Sequence, residues 1–235
     1  CGFEECIENN PGSGAIFFSG CNLKCIYCQN HDISQQITGK CVNTNTLANI
    51  FKQLEQAGAL NINLVTPTHY THQIIEAIKI YKPQIPIIWN SSGYEKVETI
   101  KMLEGFVDIF LMDFKYYNNV LSKELSNAPD YPEVSKKCLT EAKRMIPQNI
   151  FNTSGIMQRG IIVRHLVLPN MIQDSKDIIE WIANNLGKDT ITSIMSQYVP
   201  MYKATTHPKI GRKLKPIEYK SVVAFAKKIG LENAY

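Results

Sequence analysis

Short apolar runs alternate along this chain with longer segments whose apolar residues recur every third or fourth position. Residues 15–19 (AIFFS) are apolar, β-favouring and bounded by glycines, which predicts a buried strand. Leu47, Ile50, Phe51 and Leu54 then fall on one face of a helix, and Gly58 stands where a C-terminal cap would. Residues 61–66 (NINLVT) predict a second strand. Ile74, Ile75, Ile78 and Tyr81 give a second helical face, which Pro83 ends. The alternation continues with strands over 86–90 (PIIWN), 107–114 (VDIFLMDF), 161–168 (IIVRHLVL) and 191–198. Helices are expected over 97–103, about 119–126, 131–146, 178–186 and 216–229, with Pro216 near the start and Gly230 just past the end of the last.

Strand–helix units in regular succession imply a parallel sheet with right-handed crossovers. Near-continuous apolar strands fit a sheet covered on both faces. Six such units predict an α/β fold closed into a partial or full (β/α) barrel, whose site lies at the C-terminal ends of the strands.

Polar residues gather at those ends. The first strand runs into a cysteine loop, and the second into Thr66, Pro67, Thr68 and His69. The third ends in Asn90 and Ser91, and the fourth in Asp113-Phe114-Lys115. The fifth carries Arg164 and His165, and the sixth ends near Gln197 and Tyr198. A charge inside an apolar strand is costly unless paired or bound to a ligand. One such residue has a bland explanation, such as a core or capping histidine for His69. Six strand ends in a row point to one site.

Composition narrows the setting. The 235 residues suffice for one domain, and the net charge of +4 gives no argument for nucleic acid. No apolar run is long enough for a membrane span, and no signal peptide is recognisable. The chain begins at Cys1 rather than Met, so a truncated N-terminal segment is expected, a cysteine-bearing one to which Cys1 and Cys6 would belong. Seven cysteines, three of them tightly clustered, do not read as a disulfide framework. They predict a reducing, cytoplasmic setting and a metal or cluster site.

Cys21, Cys25 and Cys28 stand at C-x3-C-x2-C directly after the first strand. Three thiolates on a four-iron cubane leave one iron open to a small molecule. The alternative is a non-catalytic zinc- or cluster-binding module, with His31 as the fourth ligand of a closed site in the zinc case. Cys41 and Cys138 lie outside the motif. They read as apolar thiols or, more sharply, as a hydrogen donor to a substrate radical.

This loop, with Tyr27 before its last cysteine, resembles the radical S-adenosylmethionine (SAM) superfamily. The later segments NINLVTPTHY, WNSSGYE, FLMDFK, IIVRHLVLPN and SQYVPMYKA follow in the order of the branch related to pyruvate formate-lyase activating enzymes. The resemblance implies one radical SAM-type (β/α)6 partial TIM barrel over 1–235, with a [4Fe–4S] cluster on Cys21, Cys25 and Cys28. It implies SAM on the open iron, cleaved reductively to a 5′-deoxyadenosyl radical that abstracts hydrogen from a protein or peptide, with glycyl radical formation as one outcome. Modification of a peptide or small molecule, such as epimerisation, is the alternative. A flavodoxin- or ferredoxin-like donor would supply electrons.

By the same resemblance Tyr27 packs near the adenine, and Lys115 and Asp113 form a D-x-K motif at SAM. Asn90 and Ser91 match the other half of a cation site, with Asn90 replacing a carboxylate, so SAM rather than a cation is expected there. Arg164 approaches the SAM carboxylate or ribose, and Gln197 or Tyr198 the ribose. Thr66, Thr68 and His69 stand where a Gly-Gly-Glu motif would receive the SAM amino group, a departure that weakens any transfer of the activases' substrate.

Overall fold

The computed structural model describes residues 12–36, 38–231 and 233–234; Cys1, Cys6 and whatever role they have lie outside these. Six strands run parallel and pair in chain order: β1 (Gly14–Phe17), β2 (Ile62–Val65), β3 (Ile87–Ser91), β4 (Ile109–Asp113), β6 (Met157–Leu166) and β7 (Ile191–Met195). No pairing joins β1 to β7 among the described residues, so the barrel is open, the (β/α)6 partial barrel that the sequence predicts.

The helices lie in the crossovers. They are α1 (His31–Gln35), α2 (Thr44–Gln56), α3 (Thr71–Ile80), α4 (Val97–Met102), α5 (Asn119–Ser126), α6 (Tyr131–Met145), α7 (Ile172–Asn185) and α8 (Pro216–Lys228). Local chemistry sets their ends. The Asn43 carboxamide accepts the Thr46 amide and starts α2, and the Asn118 carboxamide accepts two amides and starts α5. Asn127, in the left-handed region at φ 54, stops α5.

The strand register sorts side chains between two faces. Partners across parallel strands share a face, so Asn63, Ile88, Asn90, Ile109, Leu111, Asp113, Ile162, Arg164 and Ile191 all face the barrel interior. Ile88, Ile109, Leu111, Met157, Ile162 and Ile191 form a separate apolar plug there. Asn90, Asp113 and Arg164 follow two residues later on the same face, so the alternation that fills the barrel also aims its polar tips. The opposite face buries Leu64, Trp89, Phe110, Met112 and Val163 among the helices. Each such side chain contributes about 1.5–3 kcal/mol when fully buried.

Several boundaries differ from the sequence expectation. The last strand ends at Met195, not 198, because Val167 takes the Met195 carbonyl and Tyr198 turns into the core onto the Ile210 carbonyl at 2.8 Å. β6 begins at Met157, and its early part pairs with a further strand, β5 (Ile150–Phe151), antiparallel. The two apolar residues of β5 are too few to set a period and both are exposed; the Asn152 carboxamide builds its turn. α1 was not predicted, since its five residues are too few for a periodic signal. α7 begins six residues before the predicted helix, at Ile172 rather than 178, beside the left-handed Asn170.

No helix among the described residues is long and apolar enough to cross a membrane.

Candidate functional site

The cysteine loop is fastened from three sides. Gly20, at φ +90, lets the chain leave β1 beneath the His69 imidazole, whose Nε2 lies 3.0 Å from where a Cβ would be. The Gly20 amide donates to the Ile33 carbonyl on α1. The Lys24 and Ile26 amides donate to the Ser126 and Leu125 carbonyls at 3.0 and 2.9 Å. The last turn of α5 leaves carbonyls without helical partners, and the loop takes two of them.

Each of the three sulfurs has an N–H or O–H group within hydrogen-bond reach. The Leu23 amide reaches Cys21 Sγ at 3.4 Å, the Ser126 hydroxyl Cys25 Sγ at 2.9 Å, and the Ser34 hydroxyl lies 3.2 Å from Cys28 Sγ. That donor set suits thiolates. Burial pushes the Cys25 thiol up to about 11 and raises Cys21 as well, so an iron ion is what would ionise them near neutral pH. The Lys115 charge opposes burial at both sulfurs.

Among the described residues no three His, Cys, Asp or Glu side chains converge on one point as ligands of a single ion must. His31, the fourth ligand in the zinc reading, stacks on Tyr202 at 4.6 Å and pairs through Nε2 with Asp32 at 3.0 Å, while its buried Nδ1 has no hydrogen-bond partner among the described residues. Three thiols in one loop, each with an N–H or O–H group within reach of its sulfur, are a donor set that fits a cluster.

Beside the loop, four strand ends are joined by one polar network. Asp113 Oδ2 accepts from Lys115 Nζ at 2.6 Å, and Oδ1 from Arg164 Nε at 2.9 Å. Arg164 also donates to Asn90 Oδ1 at 2.7 Å, and Asn90 donates to Asn63 Oδ1 at 3.2 Å. Burial alone would raise the Asp113 carboxyl, but Arg164 and Lys115 hold it below its usual range. Burial likewise disfavours the Lys115 ammonium, and the Asp113 carboxylate outweighs it, holding that group charged. The Lys115 amide and the Asp113 and Ser92 carbonyls meet at the Tyr131 hydroxyl, which locks the ends of β3 and β4 together.

The remaining candidates divide. Thr66, at φ 58, is a β-branched residue in the left-handed region, and its amide donates to the Asn90 carbonyl. Thr68 and Ser91 turn their hydroxyls to Glu95, at 2.8 and 2.9 Å, where Trp89 Nε1 also donates at 2.8 Å. Burial raises the Glu95 carboxyl against these three donors. His69 donates Nε2–H to the Ser19 carbonyl at 2.6 Å, a strut between the ends of β1 and β2. Tyr27 is buried and meets Tyr198 edge-on at 5.9 Å, while Gln197 is exposed. Cys138 is fully buried on α6 against the Glu95 carbonyl, and Cys41 is exposed. Sequence reasoning missed Glu95, Ser34, Tyr116, Ser126 and Asn63. Only Asn63 had a signal, a polar residue on the inward beat of an apolar strand.

A family model for the radical SAM superfamily matches residues 15–160, more than half of the chain. The chain belongs to the radical SAM superfamily. An uncharacterized protein of Methanocaldococcus jannaschii is 34% identical over 233 residues, 95% of this chain, which spans 64% of that protein's length. Three solved structures of two proteins share the fold. Streptococcus suis SuiB bound to S-adenosylmethionine superposes with TM-score 0.61 at 14% identity, over 92% of this chain and 47% of its own. SuiB has also been solved with its precursor peptide SuiA, at TM-score 0.59 and 12% identity over 92% and 45%. The radical SAM methyltransferase TsrM from Kitasatospora setae, with cobalamin and a [4Fe–4S] cluster, reaches 0.55 at 11% identity over 78% and 36%. SuiB thus holds SAM, and TsrM holds cobalamin and a [4Fe–4S] cluster.

His165 stands out within this site as a support. Its Nδ1–H donates to the Phe114 carbonyl at 2.8 Å and Nε2 faces the Ser175 hydroxyl at 2.8 Å, which fixes the backbone between Asp113 and Lys115. Burial drives it down to about 4. The unfolded chain takes up this proton near 6.5 and the folded chain does not, so the folded state binds fewer protons between those values. Its contribution is complete above pH 6.5 and falls by about 3 kcal/mol as pH drops toward 4. Urea unfolding of wild type and His165→Asn should give a stability difference that shrinks over that window; a pH-independent difference would show that His165 folds without this constraint.

Proposed function

We propose that this chain holds a [4Fe–4S] cluster on Cys21, Cys25 and Cys28 and uses it with SAM to abstract hydrogen from a peptide or protein. The observation that carries this reading is a three-thiol loop with a donor at every sulfur, set beside the Asn90–Arg164–Asp113–Lys115 network. Bound together, the cluster and SAM supply reductive cleavage to methionine and a 5′-deoxyadenosyl radical.

The chain's own part is to hold and orient. Lys115 and Arg164 offer fixed positive charge for a carboxylate, and Arg164 can present a planar fork to it or to ribose hydroxyls. Asn90 adds a carboxamide, and Gln197 an exposed one at the end of β7. The SAM ammonium would meet carbonyls near Thr66, whose backbone keeps a conformation that glycine adopts freely.

The segment order supports an activating-enzyme-like role, with a protein glycine as the site of abstraction and a flavodoxin- or ferredoxin-like electron donor. SuiB's precursor peptide supports a peptide as substrate class. Peptides deuterated at glycine Cα or at side chains separate the outcomes. Deuterium appearing in 5′-deoxyadenosine together with a persistent glycyl radical signal supports the activating role. Transfer without a persistent peptide radical assigns peptide modification instead, and 5′-deoxyadenosine that never carries label from any peptide overturns the substrate class.

A further inference from the structure

A file of buried hydroxyls leads from the core to one cluster ligand. Ser126 Oγ lies 2.9 Å from Cys25 Sγ, Tyr116 Oη 2.6 Å from Ser126 Oγ, and Tyr27 Oη 2.6 Å from Tyr116 Oη. Ser126 and Tyr116 are 1% exposed, Tyr27 7% and Cys25 8%, so water does not compete for these bonds. The direction of the file follows from its end. A thiolate accepts and cannot donate, so the single Ser126 proton goes to the sulfur. Tyr116 must then donate to Ser126, and Tyr27 to Tyr116. Three O–H dipoles thus point the same way, positive end toward Cys25. Each bond polarises the next in surroundings of low dielectric.

The geometry is held from the backbone. The Lys24 and Ile26 amides clasp the Ser126 and Leu125 carbonyls on either side of Cys25, and Asn127 ends α5 so that Ser126 faces the loop. The Tyr116 ring packs edge-on against Tyr131 at 5.5 Å, on the residue that locks β3 to β4.

We infer that Ser126, driven by Tyr116 and Tyr27, is a positioning residue that stabilises the reduced cluster through Cys25 and so sets its reduction potential. The inference rests on the proposed cluster at Cys25. One electron from a low-potential reductant adds one negative charge to the cluster, part of it on the ligand sulfurs. A donor aimed at a sulfur favours that state over the oxidised one. The hydroxyls move no proton in this role.

The test is an EPR-monitored redox titration of the anaerobically reconstituted full chain, without SAM, with iron counted on each sample. Ser126→Ala should keep wild-type iron and lower the reduced-to-oxidised ratio at fixed potential about tenfold, which is 59 mV for one electron. Ser126→Thr, which restores the hydroxyl, should return to within about twofold of wild type. Tyr116→Phe leaves Ser126 in place but removes its incoming donor, and should lower the ratio about two- to threefold. An unshifted potential in Ser126→Ala with iron retained overturns the inference and leaves the cluster reading intact. If Ser126→Ala fails to hold iron, Tyr116→Phe decides, and an unshifted potential there overturns the inference. A wild-type chain that takes up no iron overturns both.

Discussion

Cys25→Ala is expected to leave a folded protein that takes up little iron on anaerobic reconstitution, where wild type takes up about four irons per chain. Cys25 is the most buried of the three loop cysteines, so the cluster would lose its most enclosed ligand. The loop itself should survive. Its anchors are backbone bonds to Ile33, Ser126 and Leu125, none of which involves the Cys25 side chain. The far-ultraviolet circular dichroism of the metal-free variant should therefore match wild type, while the brown colour, the charge-transfer absorption and SAM cleavage disappear together. Retention of a full cluster by Cys25→Ala would place the third ligand elsewhere.

The second large effect belongs to stability. Asp113→Asn removes the carboxylate that pairs with both Lys115 and Arg164, each less than one-quarter exposed. Two part-buried cations then face a neutral carboxamide. Removing one partner of a buried set costs about 3–5 kcal/mol, because the remaining charges stay desolvated, and partial exposure places the loss here at about 3 kcal/mol. For a chain of this length the melting temperature should fall by about 10 °C. The loss should be partly recovered in Asp113→Asn/Lys115→Met, where one stranded charge is gone. Urea unfolding of the metal-free proteins measures both; equal stability of wild type and Asp113→Asn would mean that the network contributes nothing to the fold. SAM binding should weaken in Asp113→Asn as Lys115 and Arg164 lose their fixed positions.

Much of this arrangement was legible before any coordinates. The near-continuous apolar runs over 107–114 and 161–168 identify strands, and the period of two that any strand imposes sends Asp113 and Arg164 to the inner face. That is why residues far apart in sequence could be assigned to one site from their place at strand ends. What stayed hidden has no local pattern. Ser126 and Tyr116 sit about one hundred residues from the cysteines they serve, and a serine in a helix gives no sign of its tertiary partner. Glu95 reads as an ordinary loop acid until Trp89, Thr68 and Ser91 are seen around it. Thr68, Ser91 and His69 illustrate the converse. Their positions were read as cofactor contacts, and their side chains are engaged within the protein, with Glu95 and with the Ser19 carbonyl. The short strand β5 is not legible because two residues, although apolar, are too few to set a period.

The central claim is that the three-cysteine loop and the strand-end network together perform SAM chemistry. The most direct test is 5′-deoxyadenosine formation by the anaerobically reconstituted chain with dithionite and SAM. Wild type should release 5′-deoxyadenosine and methionine in equal amounts, and Cys25→Ala none. Wild-type protein that holds about four irons, reduces fully, and still leaves SAM uncleaved would contradict the account.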